Sequence, residues 1–161
     1  MEVLWNPLEG SLKTTSLTDL GDPIMISTLS ATMHPQIAQL VDLRHALLSL
    51  HQALITVERD AYERFYGRVS SEKLLQLLID HPQFDWLHRL SELIVQIDTA
   101  LQADDPITPA TAESLIAAAD ALLTPAEDGM GFARQYFKAL QRDPAVVMAH
   151  ATVVPLLSVE S

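Results

Sequence analysis

From Pro35 to Tyr66 the chain holds no Gly and no Pro after its first residue, and its apolar residues recur at steps of three and four. Ile37, Leu40, Leu43, Leu47, Leu50, Leu54, Val57, Ala61 and Phe65 fall on one helical face, and Val41, Leu48 and Ile55 widen it. The pattern predicts one amphipathic helix of about nine turns. A helix that long takes most of its stability from tertiary packing, so other segments must cover its stripe along much of its length. That requirement favours an all-helical protein.

The segments that follow supply such partners. Gly67 predicts a stop, and Ser70 caps a short helix through Leu74, Leu75, Leu77, Leu78 and Ile79. Asp80 or His81 then caps a helix of about twenty residues, with Pro82 in its first turn and Phe84, Leu87, Leu90, Ile94, Ile97 and Leu101 along it. It is long enough to lie antiparallel to much of the first.

Thr108-Pro109, Thr124-Pro125 and Asp143-Pro144 each place a capping side chain before a first-turn proline. Glu127 completes a capping box with Thr124. These signals predict helices over 109–123, 125–142 and 144–154, the middle one divided by Gly129 and Gly131 so that its firm part is 132–142. The expected fold is all-α: an irregular bundle of five or six helices around two long antiparallel ones. Residues 1–34 are punctuated by Pro7, Gly10, Gly21 and Pro23 yet rich in apolar side chains, which predicts an irregular strap packed on a helical domain of 35–161.

Composition narrows the chemistry. Absent cysteine excludes disulfides and thiolate catalysis. The formal charge is -11. From Arg89 to Arg134 no Lys or Arg intervenes, while Glu92, Asp98, Asp104, Asp105, Glu113, Asp120, Glu127 and Asp128 do. Such a field repels phosphate backbones, so no nucleic-acid partner is expected. No run is long and apolar enough to cross a bilayer, and the start lacks a secretory pattern, so no membrane partner and a cytoplasmic location are expected.

Histidines at His-x-x-x-His or Glu-x-x-His spacing are lacking, so no metal is expected. Gly129-Met130-Gly131 is too short for a phosphate loop and follows no strand, so no cofactor is expected, and no nucleophile elbow predicts a catalytic residue.

On the long helix, His51, Glu58 and Tyr62 stand seven and four residues apart and share a side beside the apolar stripe. A Glu58–Tyr62 hydrogen bond with His51 two turns back, joined by Asp98 or Arg89 from a facing helix, would make a small polar site. Trp86 is the aromatic candidate for the same ligand contact. Tyr66, Tyr136, Val147 and Val154 are the candidate interface residues, the last two from an almost uniformly apolar stretch, 145–157, that suits a closing helix or a subunit contact. Two functions follow. The sequence favours a non-enzymatic protein acting through protein contacts or homo-oligomer formation. The alternative is a small-molecule-binding or enzymatic bundle with its polar site near His51, Glu58 and Tyr62.

Overall fold

The computed structural model describes residues 34–158. Apart from His34, the strap expected of 1–34 lies outside the described residues. Six α-helices are found among them: α1 (Pro35–Tyr66), α2 (Ser71–Asp80), α3 (His88–Gln102), α4 (Pro109–Leu122), α5 (Phe132–Arg142) and α6 (Pro144–Val153). They contain no strand, and the fold is an all-α helical bundle.

The first helix is unbroken over 32 residues, about 48 Å. Its inner stripe is fully buried at Leu40, Leu43, Leu47, Leu50 and Leu54. Gly67 ends it at φ 84°, a left-handed conformation that glycine adopts without penalty. Glu63 fixes the short connector by accepting the Val69 N–H at 2.8 Å. That bond, with the Arg59 guanidinium nearby, holds the Glu63 carboxyl below the usual range.

Cross-links show how α3 lies on α1. Arg44 pairs with Asp98, and one heptad further along α1, His51 meets Ser91 one heptad back along α3. The two helices therefore run antiparallel in constant register. Phe84, Leu87, Leu90 and Ile97 close on the leucine stripe.

Three predicted caps are made. Ser70 accepts from Lys73 N, Thr108 from Thr111 N and Asp143 from Ala145 N. Two predicted boundaries differ. The segment Pro82–Leu87 winds as a 3-10 helix, and α3 begins only at His88. His81 Nδ1 caps the 3-10 turn by accepting Gln83 N at 3.1 Å. Three residues per turn sort this segment into ridges: Phe84 and Leu87 point into the core, while Gln83 and Trp86 line up beside them.

The other difference is at Thr124. Its hydroxyl donates backwards to Asp120 O at 2.8 Å, closing α4 instead of opening a helix. Residues 124–131 are non-helical, Gly131 takes φ 59°, and α5 starts at Phe132.

Candidate functional site

Glu58 is the one buried charged residue among the described residues. It sits on the inner side of α1, where a carboxylate needs partners. Gln83 Nε2 donates to both the Glu58 backbone oxygen and Oε2, each at 3.1 Å. Arg142, the last residue of α5, brings Nη2 to 3.5 Å from Oε1. One acid thus joins α1, the 3-10 segment and α5.

Beside it opens a cavity of about 600 Å³ lined by Glu58, Gln83, Asp85, Trp86, Gly131, Arg134, Gln135 and Arg142, with Ala61 and Pro82. That volume lies within the usual range of small-molecule pockets. Each wall follows from local periodicity. Glu58 and Ala61 are one helical turn apart on α1, Gln83 and Trp86 one turn apart on the 3-10 segment, and Gly131, Arg134 and Gln135 share the start of α5. Two acids, Glu58 and Asp85, share the lining with two arginines, Arg134 and Arg142.

Trp86 packs its ring on Phe132 at 5.2 Å between centroids. Its Nε1–H is buried and has no hydrogen-bond acceptor among the described residues. An unmet buried donor costs about 1–3 kcal/mol, and such groups concentrate where structure serves something other than stability.

α5 is the helix that carries the basic side of the site, and its position is set from α6. Tyr136 is fully buried, with its hydroxyl 2.6 Å from His150 Nδ1. Burial pushes the Tyr136 phenol well above its ordinary range and the His150 imidazole below its own. Tyr136 is therefore an internal brace, and the expectation of an interface role for it is corrected: no part of its side chain reaches the surface.

The four expected ligand contacts separate. Glu58 and Trp86 line the cavity together, but His51 and Tyr62 do not. Tyr62 is buried with its ring against Tyr66, His81 and Phe84. The expected Glu58–Tyr62 bond is not made, because the Glu58 oxygens turn to Gln83 and Arg142. Asp98 is engaged by Arg44, and Arg89 lines a different cleft, against Ala118 and Leu122.

His51 lies two turns back, where its Nε2 is 2.9 Å from Ser91 Oγ and burial lowers its pKa. Ser91 also lines a cleft of about 470 Å³ with His88, Glu92, Val95 and Gln96. A serine–histidine pair invites a nucleophilic reading, but two features oppose it. The single hydroxyl proton has a second acceptor, Leu87 O, at 3.3 Å. Ser91 also lies inside α3, where backbone N–H groups are committed to the helix and cannot form an oxyanion hole.

Of the other expected interface residues, Tyr66 is 71% exposed, Val147 45% and Val154 44%. Met148 adds to the apolar surface of α6, whose Val146 and Val153 point inward. No helix of the described residues is long and apolar enough to cross a membrane, and no group of three or more metal-binding side chains occurs among them.

Sequence reading missed Gln83, Asp85, Arg134, Gln135 and Arg142. The one local hint was the Gln83–Trp86 spacing; the remainder depends on α5 packing against the 3-10 segment. Comparison with protein-family models, with curated proteins and with solved structures finds no match to this chain.

Proposed function

We propose that this protein binds a small polar molecule in the cavity between α1, the 3-10 segment and the start of α5. The observation that carries the reading is the buried Glu58 carboxylate on the wall of a 600 Å³ cavity that also presents Arg134 and Arg142. Two charges of each sign on one concave wall suit recognition of a charged or strongly polar solute. The Trp86 ring with Ala61 and Pro82 offers it an apolar surface. The described lining holds no hydroxyl, thiol, amine or imidazole side chain, and binding is the activity the arrangement supports.

The test is amide chemical-shift mapping on the full chain with a panel of neutral, anionic, cationic and zwitterionic solutes. Shifts gathered at Glu58, Gln83, Trp86, Gly131 and Arg134 support the reading. A panel that moves none of these amides refutes it.

The exposed Val147 and Met148 on α6, with Val154 just past its end, favour a second reading, contact with another protein chain, self-association included. Sedimentation of the full chain and of Met148→Glu would test it. A native assembly that dissociates in the variant supports self-association, and a monomer at all concentrations excludes it.

A further inference from the structure

We infer that the solute taken by this cavity is a zwitterion with its ammonium and carboxylate well separated, as in a peptide of three or four residues. The inference rests on the reading of the cavity as a ligand site. Formal charge supplies the first argument. Glu58 and Asp85 balance Arg134 and Arg142, so the lining as a whole is neutral. A lone anion or a lone cation would meet one favourable and one opposing pair, whereas a molecule bearing both charges satisfies each end.

The second argument is where the charges stand. Arg142 is drawn to Glu58, at the far end of α5. Arg134 is in the first turn of the same helix and has no ion pair among the described residues. Eight residues of helix separate their backbones, about 12 Å along the axis. The carboxylate subsite is therefore the Arg134 end, where Gly131 precedes α5 without the side-chain cap that α2, α4 and α6 possess. The ammonium subsite is the Glu58 end, where each carboxylate oxygen has one protein partner and keeps acceptor capacity. An extended peptide gains about 3.3–3.6 Å per residue, so about three or four residues match the separation and a single amino acid does not. Gln83 and Gln135, also on the wall, present amides of the kind that pair with peptide groups.

The experiment titrates the full chain with tri-alanine, N-acetyl-tri-alanine, tri-alanine amide, free alanine and inorganic phosphate, following the Gly131 amide and the Trp86 indole N–H by NMR. Tri-alanine should bind at least about tenfold more tightly than either blocked peptide and than free alanine. Arg134→Gln should reduce its affinity to that of the amide, and Glu58→Gln to that of the acetylated form, with both variants retaining the native amide spectrum elsewhere. Equal binding of a blocked peptide, free alanine or phosphate overturns the zwitterion assignment while leaving the cavity a ligand site. If no probe moves either signal, the assignment falls; the broader solute panel then decides separately whether the site reading falls with it.

Discussion

Replacing Glu58 by Gln asks whether the buried carboxylate serves folding or the cavity. The substitution keeps shape and size but removes the charge. Arg142 then loses an ion pair with an N···O distance of 3.5 Å, and its side chain is already 43% exposed. Water can replace that contact, so the loss is a few tenths to about 1 kcal/mol. Gln83 retains the backbone oxygen of residue 58 as an acceptor and loses only the charged character of its second bond, about 1 kcal/mol. Burying an amide is easier than burying a carboxylate, which offsets part of both losses. The net expectation is a destabilisation of about 1 kcal/mol, and less than about 2. Urea unfolding followed by circular dichroism should show a lower midpoint with an unchanged slope. A loss above about 3 kcal/mol would mean that the carboxylate is a structural anchor, and the argument that its burial points to a ligand would lose its basis.

Other consequences are equally open to measurement. Trp86→Phe removes a buried donor that has no acceptor; the relief offsets the lost ring volume, so urea midpoints should place it within about 1 kcal/mol of the parent. Leu50→Ala, at a fully buried position on the α1 stripe, should cost about 2–5 kcal/mol in the same assay. Burial holds His51 and His150 below their ordinary value of 6.5, so on acidification the unfolded chain takes up protons first. Their contribution is complete above that value and is lost as pH falls from it toward the folded-state pKa values. Urea midpoints measured at steps from about pH 7.5 to 5.5 should decline, and a flat or rising series would contradict the assignment.

The long helix was legible because nothing in 35–66 interrupts it and its leucines keep strict helical spacing. Ser70, Thr108 and Asp143 were legible for a similar local reason, since a cap acts on residues two or three positions away. Thr124 misled because an identical Thr-Pro signal was overruled. Gly129 and Gly131 allow the chain to turn there, and the Thr124 hydroxyl serves the preceding helix instead. Glu58 and Trp86 could be named in advance, as an acid on the edge of an apolar stripe and an aromatic near the start of a helical segment. Their shared cavity could not, because Arg134 and Arg142 reach it only through the packing of α5 against the 3-10 segment. Tyr136 shows the converse: its amphipathic ring suits a surface, but His150 on α6 gives its hydroxyl a partner inside.

Arginine-directed labelling tests the central claim most directly. Arg134 and Arg142 line the cavity, while Arg64 and Arg68 are exposed elsewhere and serve as internal references. Phenylglyoxal modification of the full chain, quantified per residue by peptide mass spectrometry, would be run with and without tri-alanine at saturating concentration. The account predicts that labelling of Arg134 and Arg142 slows by about tenfold while Arg64 and Arg68 react at unchanged rates. Four arginines that respond alike would contradict it.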